Sequence, residues 1–342
     1  MSGGVDSSVV AGLLAEQGHE VVGLTLQLSD GGAGRRGSCC AGRDIDDARA
    51  VADRLGFAHY VIDARARFQA SVVQDFADSY ARGETPVPCV RCNMGVKFTD
   101  LLAVARDVGA AALATGHYVR RIDGPDGPEL HQAADAARDQ SWFLFATTAA
   151  QLAYTRFPLG DMPNKAAVRA HAMRLGLAVA DKPDSQDICF VPDRDYAALV
   201  ERLRPDVAGG GELVTADGQV VGQHAGVARY TVGQNRGLGR ASFDGGVRQS
   251  VLAVDGSARR VVIGPRSAGV RRLVLRDVNW LAPVPGACMV KLRAREVPHP
   301  AVVEVRDGVV SVELPAPVLA APGQACVFYD GSRVLGGGFI GA

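Results

Sequence analysis

The alternation of helices and strands constrains the fold of this chain more than any other feature of its sequence. Up to residue 195, helical periodicity alternates with short apolar runs. The predicted helices span residues 7–17, 44–55, 68–82 and 96–108, and the predicted strands span residues 19–28, 58–63 and 111–115. Strands that alternate with helices of about 10–15 residues are typical of βαβ units. We therefore predict an α/β fold with a doubly wound parallel sheet.

The pattern changes near Asp195. A helix predicted over residues 196–203 is followed by short apolar runs that Gly, Pro and Asp interrupt. These runs lie at residues 213–215, 251–254, 261–263, 273–275, 301–305, 309–314 and 325–329. Short strands at roughly even spacing are typical of a β-sandwich or β-barrel. We predict an α/β domain over residues 1–195, a small central connecting domain over 196–268 and a C-terminal β-barrel over 269–342.

Length and composition agree with two or three domains of a globular protein. The chain has 342 residues, of which 47% are hydrophobic and 22% are charged, close to the average for soluble proteins. No apolar run reaches the ~18 residues of a membrane-spanning helix, and no secretory signal opens the chain. The seven cysteines are odd in number and irregularly spaced, which argues against a disulfide framework. We expect a cytoplasmic protein with no membrane partner.

The charges are balanced overall but distributed unevenly. The chain has 37 basic and 37 acidic residues, yet residues 1–200 have 20 basic and 25 acidic residues, while residues 201–342 have 17 and 12. A modestly basic C-terminal part could face nucleic acid. A chance scatter of surface charges explains the same numbers equally well, so both interpretations stay open.

The clearest local motif is a glycine-rich segment that opens the first predicted helix. It has the sequence Ser2-Gly3-Gly4-Val5-Asp6-Ser7-Ser8. Glycines let a backbone approach an anion closely, and a helix N-terminus adds unpaired N–H groups and a favourable dipole. No lysine follows the glycines, which excludes a Walker A loop. The motif therefore predicts a phosphate site of another kind, with a plain glycine-rich turn as the alternative.

The cysteines supply the second group of candidates. Cys89 and Cys92 form a CxxC motif; no second CxxC or His pair follows, so we predict no zinc site. The prolines before it and Asn93 after it indicate a rigid loop before the helix, which suits either a positioned thiol or a redox pair. Cys189 lies where a polar loop enters an apolar run, a place that also fits a structural cysteine. The other cysteines are predicted to lie in a glycine-rich loop or in the core, at Cys39, Cys40, Cys288 and Cys326.

Taken together, these motifs resemble a known family. The segment from Ser2 to Ser8 resembles the PP-loop of ATP pyrophosphatases, whose fold is similar to that of the adenine nucleotide alpha hydrolases. With the cysteines in order, essentially the whole chain resembles the tRNA-uridine 2-sulfurtransferases, the bacterial MnmA family. Further matching segments are Thr85-Pro86 to Phe98, Ala114 to Tyr118, Asp139-Gln140-Ser141, Asp184 to Phe190, Tyr230 to Gly239 and Pro322 to Gly338.

The resemblance implies a reaction, its cofactors and its partners. Such an enzyme uses ATP with Mg²⁺ to adenylate O2 of uridine 34, at the wobble position of a tRNA anticodon. It then replaces that oxygen with sulfur, which a sulfur carrier or cysteine desulfurase donates as a persulfide. The resemblance also implies a catalytic PP-loop domain, a small central domain and a C-terminal barrel that binds tRNA.

The resemblance also implies roles for individual residues. The ATP site would comprise Ser2, Gly3, Gly4, Val5, Asp6 and Ser7, with Leu26 and Gly116 at the adenosine. Cys189 would carry the persulfide, and Cys92 would attack it and leave a transient Cys92–Cys189 disulfide; this chemistry needs thiolates. The tRNA contacts would be His117, Arg138, Asp139, Gln140, Arg293 and Gln324.

The sequence departs from the family at two points. Relatives have a hydrophobic strand before the PP-loop, whereas the loop here begins at residue 2, so we expect the first strand of the sheet to be missing and the true start to lie upstream. A catalytically impaired, truncated tRNA-binding homologue is the alternative. Cys89 stands where some members place a carboxylate, so we expect it not to be essential. A PP-loop enzyme with another substrate, such as an amide-forming ligase or a 4-thiouridine or 2-thiocytidine enzyme, also stays open.

Overall fold

The computed structural model describes residues 1–29, 42–184, 188–191 and 195–342. Cys39, Cys40 and residues 185–187 of the late cysteine motif lie outside the described residues. The chain divides into two compact units. The first comprises Met1–Val72, Cys89–Phe190 and Ser332–Val334, and the second comprises Val73–Pro88, Val191–Gly331 and Leu335–Ala342.

The α-helices of the described residues all lie before residue 204. They are α1 (Val5–Glu16), α2 (Gly42–Leu55), α3 (Arg65–Phe68), α4 (Gln74–Ala81), α5 (Pro88–Cys92), α6 (Leu101–Asp107), α7 (Ala149–Tyr154), α8 (Lys165–Arg174) and α9 (Tyr196–Leu203). A π-helical segment at Gln69–Val73 joins α3 to α4, and another at Asn93–Asp100 joins α5 to α6. No helix among the described residues is long and apolar enough to cross a membrane.

The strands fall into a short first group and a longer second group. The first group is β1 (Val22–Gln27), β2 (Ala58–Asp63), β3 (Leu113–Ala114), β4 (Val119–Gly124), β5 (Gly127–Gln132) and β6 (Thr155–Arg156). The second is β7 (Gly211–Thr215), β8 (Val220–His224), β9 (Phe243–Asp244), β10 (Val247–Asp255), β11 (Arg260–Pro265), β12 (Val270–Trp280), β13 (Ala287–Lys291), β14 (His299–Arg306), β15 (Val309–Val318), β16 (Ala325–Asp330) and β17 (Arg333–Ile340).

The first unit has the predicted α/β architecture with parallel strand pairing. Strands β1 and β2 pair in parallel from Val22↔Ala58 to Gln27↔Asp63, and β3 pairs in parallel with β6. Within the described residues these are two separate parallel pairs. Met1 lies beside β1, since the Thr25 hydroxyl donates a hydrogen bond to the Met1 carbonyl at 2.8 Å. Both pairs are parallel, as the α/β prediction requires.

Helix α1 forms the centre of the core of the first unit. Its residues Val5, Val9 and Val10 are buried with side chains of α8 and the segment after it. A Cβ atom at Gly12 would lie 2.5 Å from Leu175, so a glycine there lets α1 and the end of α8 approach closely. The N-terminus of α1 is thereby fixed in place, and the glycine-rich segment lies directly before it.

The CxxC motif differs from its prediction. The sequence indicated a rigid loop before a helix beginning near Val96, but α5 begins at Pro88 and holds both cysteines. The helix continues through the π-helical segment into α6. Proline is favourable at the first helical position because its φ is already helical and its missing N–H has no partner there to lose.

The second unit contains a five-stranded sheet and a closed barrel. The sheet has the order β8-β7-β11-β10-β9, with β7 and β11 parallel and the other pairs antiparallel. The barrel has the order β12-β15-β14-β13-β16-β17, and pairing of β17 with β12, as at Leu275↔Ile340, closes it. Closure removes unpaired strand edges. The predicted β-rich second half and its C-terminal barrel are confirmed.

Candidate phosphate and thiol site

The glycine-rich segment forms a tight loop at the N-terminus of α1. Gly3 has φ +67°, and a Cβ atom there would overlap the backbone carbonyl of Asp44. Only glycine adopts this conformation readily and leaves room for Asp44. The Ser2 and Ser7 hydroxyl oxygens lie 3.2 Å apart, and the Ser2 N–H donates to Ser7 Oγ at 3.1 Å. The loop therefore gathers two hydroxyl groups at the start of the helix.

The N-terminus of α1 suits an anion. Gly4 is the extended N-cap residue, and its position supplies no side chain to bind the N–H groups of the first turn. Those N–H groups and the dipole of a 12-residue helix favour a negative group. Val5 is buried and holds the first turn against the core. These residues fit a nucleotide phosphate.

Lys182 fixes the carbonyl side of the same loop. Its ammonium donates to the Gly3 carbonyl at 2.8 Å, to Asp44 Oδ1 at 2.7 Å and to Asp47 Oδ2. Burial alone would lower the pKa of Lys182, but the hydrogen bonds to the two carboxylates raise it above its ordinary value. The ammonium therefore stays charged and ties the loop to α2.

A chain of ion pairs runs from Asp6 towards the late cysteine segment. The Lys165 ammonium lies 2.8 Å from both oxygens of Asp6 and 2.7 Å from Asp184 Oδ1. Arg138 pairs with Asp184 Oδ2 at 2.6 Å, and Arg169 lies 3.8 Å from Oδ1. Burial would raise the pKa of Asp184, but its bonds to Lys165 and Arg138 hold it below the usual range. Asp184 lies five residues before Cys189 in the sequence.

Tyr118 joins this network from the other side. Its hydroxyl donates to Asp6 Oδ1 at 2.6 Å. Burial and the hydrogen bond to Asp6 raise the pKa of Tyr118 well above its ordinary value, so the phenol keeps its proton. The Tyr118 N–H donates to Gln140 Oε1 at 2.9 Å, and the Gln140 N–H donates to the Tyr118 carbonyl at 3.0 Å. Gln140 thus holds the segment that carries Tyr118.

The end of β3 passes close to the first turn of α1. A Cβ atom at Gly116 would lie 3.0 Å from atoms of Asp6 and from the Ser7 nitrogen. His117 follows, and its Nδ1 lies 2.9 Å from the Thr115 hydroxyl. Burial, followed by the charge of Lys97, lowers the pKa of His117 to about 3, so the ring is neutral near pH 7. Gly116 therefore lies directly beside the Ser2–Ser8 segment, hereafter the phosphate loop, and its expected contact with the adenosine stays a prediction.

Leu26 and Asp139 both contact other parts of the fold. Leu26 is buried on β1 and pairs with Ile62. Asp139 accepts hydrogen bonds from the Ala133 N–H at 3.1 Å and from the Ser141 hydroxyl at 2.8 Å. Its further donors are Gln132 Nε2 and the Ser141 N–H. The carboxylate of Asp139 therefore organises the turn before Ser141.

The three candidate cysteines of this unit differ in exposure. Cys89 is exposed, Cys92 is buried at the end of α5, and Cys189 is half-buried. The ring of Phe190, directly after Cys189, meets the Phe68 ring edge-on with 5.6 Å between centroids. That aromatic contact anchors the segment containing Cys189. Among the described residues, no group of three His, Cys, Asp or Glu side chains is arranged to hold a metal ion.

Arg293 and Gln324 lie in the second unit, where both bind backbone carbonyls. Arg293 Nη2 donates to the carbonyls of Val232 at 3.3 Å and Leu319 at 3.4 Å. Gln324 Nε2 donates to the Thr85 carbonyl at 2.9 Å. Both side chains therefore fix loops of this unit, and their expected contact with tRNA stays a prediction.

No sequence pattern predicted the roles of Lys165, Lys182 and Tyr118. The two lysines meet Asp6 and the Gly3 carbonyl from distant parts of the chain, and no local pattern predicts such contacts. One signal was available: only four of the 37 basic residues are lysines. A lysine presents a compact ammonium group where an arginine presents a flat fork, so each rare lysine of an arginine-rich chain is a candidate for such contacts.

Three protein-family models match successive parts of the chain. Residues 1–193 match the tRNA methyl transferase HUP domain, residues 199–265 match the tRNA methyl transferase PRC-barrel domain, and residues 270–340 match the aminomethyltransferase beta-barrel domain. The HUP match contains the phosphate loop, the ion-pair chain and the candidate cysteines Cys92 and Cys189.

Curated relatives match the chain over nearly its whole length. The tRNA-specific 2-thiouridylase MnmA of Acidiphilium cryptum is 64% identical, over 99% of this chain and 98% of the relative. The enzymes of that name from Gluconobacter oxydans and Rhodospirillum centenum are 64% and 60% identical, over 100% and 99% of this chain and 98% and 90% of the relatives. The chain belongs to the MnmA family of tRNA-uridine 2-sulfurtransferases.

Proposed function

We propose that this chain uses ATP to activate O2 of uridine 34 in tRNA and replaces that oxygen with sulfur from a protein-bound persulfide. Family membership supports tRNA thiolation in general. The observation that carries the finer proposal is the Lys165 bridge, which links Asp6 of the phosphate loop at 2.8 Å to Asp184 at 2.7 Å. In this proposal the bridge joins the candidate site for substrate activation to the segment that leads to Cys189, within one unit.

The phosphate loop would serve the first step. The O2 atom is a poor leaving group, so it must be activated before sulfur can replace it. In the proposed step O2 attacks the α-phosphorus of ATP; an O2–phosphorus bond forms, the α–β phosphoanhydride breaks and pyrophosphate leaves. The N–H groups at the start of α1 and the hydroxyls of Ser2 and Ser7 stabilise phosphate charge. Lys165 stays close enough to offset the negative charge of Asp6 beside a bound triphosphate. In this proposal Mg²⁺ would arrive bound to the phosphate oxygens of ATP and would offset part of their charge.

The cysteines would serve the second step. The outer sulfur of a Cys189 persulfide attacks C2, and the C2–O2 bond breaks as AMP leaves. The Cys92 thiolate then attacks Cys189 Sγ, so the outer sulfur stays on C2 and a Cys92–Cys189 disulfide forms. A cellular dithiol must reduce that disulfide before the next cycle. A sulfur carrier or cysteine desulfurase supplies the next persulfide sulfur.

The test separates activation from sulfur transfer. Cys92→Ser and Cys189→Ser should each abolish 2-thiouridine, while ATP-dependent adenylation of unmodified tRNA persists because the phosphate loop is intact. Cys89→Ser is the matched control in the same helix as Cys92, and we expect it to retain thiolation. Mass spectrometry of digested tRNA measures the nucleoside, and release of pyrophosphate measures activation. Full thiolation by Cys92→Ser or Cys189→Ser would refute the assigned roles.

The same experiment distinguishes the other substrates that the sequence left open. A mass and retention time matching 4-thiouridine or 2-thiocytidine would identify a different tRNA base as the target. The family match over 99% of the chain does not favour the catalytically impaired homologue. Detectable 2-thiouridine formation by the 342-residue chain would exclude that alternative directly.

A further inference from the structure

The hairpin formed by β9 and β10 presents an unusual surface in the second unit. Its turn is Gly245-Gly246, with φ values of +53° and +83°, as expected for a two-residue type I′ turn. Across the hairpin Val247 pairs with Asp244, and Arg248 pairs with Phe243. Residues directly opposite in an antiparallel pair point to the same face. The Phe243 ring and the Arg248 guanidinium therefore share one face of a short hairpin.

That face is open to solvent. The Phe243 side chain is 60% exposed, and Arg248 is exposed beside it. A large aromatic side chain at the tip of a hairpin contributes little to the core and leaves apolar surface in water. A planar ring beside a guanidinium can instead bind a flat partner by stacking.

The surrounding charge is strongly basic. Residues 227–250 contain four arginines and one acidic residue, Asp244. Arg229 lies 3.9 Å from Glu201. Arg236, Arg240 and Arg248 are exposed, and within the described part of the chain no ion pair is found for these three. Three exposed guanidinium groups within residues 236–248, a segment that also contains the exposed Phe243 ring, favour a polyanion that also offers flat surfaces.

We propose that the hairpin patch, defined as Arg236, Arg240, Phe243 and Arg248, binds tRNA. The three guanidinium groups contact phosphates, and the Phe243 ring stacks on an unpaired or splayed base, since RNA is commonly recognised by such stacking. This inference rests on the proposed function only in taking tRNA as the substrate. It adds a binding surface on the five-stranded sheet, outside the phosphate loop and outside the barrel.

Single substitutions test the two kinds of contact separately. We would measure the Kd of the full chain for unmodified tRNA, without ATP, over a series of salt concentrations. Phe243→Ala should weaken binding about tenfold with the salt dependence unchanged, and Phe243→Trp should retain binding because it keeps a stacking surface. Arg240→Ala and Arg248→Ala should each weaken binding and reduce the slope of log Kd against log salt by about 0.7–0.9.

Matched controls come from the first unit. Tyr60 is 58% exposed on β2, and the Arg49 side chain is 57% exposed on α2. Tyr60→Ala and Arg49→Ala remove a comparable ring and a comparable charge, and both should leave Kd and slope unchanged. Thermal unfolding of each variant verifies that it folds, and loss of binding in a folded patch variant supports the proposal.

The outcomes separate this proposal from the function itself. If Phe243→Ala and Arg248→Ala keep the wild-type Kd and slope, the patch does not bind tRNA. If they keep tRNA binding but lose sulfur uptake from a persulfide-bearing donor protein, the patch belongs to a protein partner and the proposal is overturned. A wild-type chain that binds tRNA but forms no 2-thiouridine would refute the proposed function and leave the binding test valid.

Discussion

Lys165 and Lys182 each direct three donors at three acceptors. Lys165 meets both oxygens of Asp6 and one of Asp184, and Lys182 meets the Gly3 carbonyl, Asp44 and Asp47. An ammonium has three N–H donors around one atom, whereas an arginine side chain presents a flat fork. At residue scale, the phosphate loop is therefore held by groups that arginine cannot replace atom for atom.

Replacing Lys165 should impair ATP binding and stability together. Lys165→Met leaves the carboxylates of Asp6 and Asp184 without their shared cation, and the Asp6 charge then repels the triphosphate. Because the Lys165 side chain is only 11% exposed, we expect the free energy of unfolding to fall by about 2 kcal/mol, below the value for a fully buried pair. Lys165→Arg should recover stability in part and ATP affinity little.

The control for this prediction is Lys291→Met. Lys291 is 7% exposed in the barrel, and its ammonium lies 5.8 Å from the centre of the Tyr329 ring. The Lys291→Met substitution should lower the free energy of unfolding while leaving the ATP Kd unchanged. Isothermal titration with a non-hydrolysable ATP analogue and urea unfolding measure the two quantities. A wild-type ATP Kd in Lys165→Met would show that the bridge has no role in nucleotide binding.

At the scale of elements, local signals predicted bounds well where the chain itself provides them. Strand β2 and helix α9 begin and end at the predicted residues. Helix α9 has Asp195 as its N-cap, whose carboxylate accepts the Ala198 N–H at 3.0 Å, so its start is encoded within four residues. Local signals did not predict the start of α5. They indicated a loop at the two cysteines, whereas the helix begins at Pro88 and continues through a π-helical segment into α6.

Tertiary contacts explain what the sequence could not predict. The Lys165 bridge joins residues separated by 159 positions, and the Lys182 contact with Gly3 joins residues separated by 179. No periodicity or spacing specifies such pairs. The loop motif was predictable because its glycines and serines are contiguous, whereas the lysines that hold it became apparent only once the fold placed them.

The approach of β3 to α1 makes Gly116 a sensitive position. Gly116→Ala would place a Cβ atom 3.0 Å from Asp6 and Ser7 atoms, so the first turn of α1 must shift and its N–H groups lose alignment with phosphate. We expect an ATP Kd about tenfold weaker, equivalent to about 1.4 kcal/mol, with unfolding changed less. Gly95→Ala is the control, since a Cβ atom there meets nothing within 4 Å and alanine favours helix. Equal ATP Kd values for both variants would contradict this role of Gly116.

At the scale of the molecule, the second unit assembles segments that are far apart in sequence. Residues 73–88 belong with the barrel rather than with their sequence neighbours. The Thr85 N–H donates to the Pro322 carbonyl at 2.7 Å, and Gln324 donates to the Thr85 carbonyl at 2.9 Å. Glu84, 7% exposed, pairs with Arg276 of β12 at 2.7 Å. The barrel therefore fixes the segment that ends at Pro88, where the CxxC helix begins.

The Glu84–Arg276 pair should contribute more to stability than a surface pair of similar length. Removing Glu84 leaves the guanidinium of Arg276 without its carboxylate. Removing Arg276 leaves a buried charge whose remaining ion-pair partner, within the described part of the chain, is Arg82 at 3.1 Å. Since the Arg276 side chain is 38% exposed, solvent weakens the attraction, and a double-mutant cycle with alanine should give a coupling energy of about 1–2 kcal/mol.

The exposed Glu212–Arg260 pair, at 3.0 Å in the same unit, is the matched control, and its coupling should stay below about 0.5 kcal/mol. Urea unfolding of the full chain measures both cycles, because each pair lies within the second unit. High salt should reduce the surface coupling more than the buried one, since screening by ions needs access to the charges. Equal coupling energies in the two cycles would mean that the burial of Glu84 adds nothing to the strength of its ion pair with Arg276.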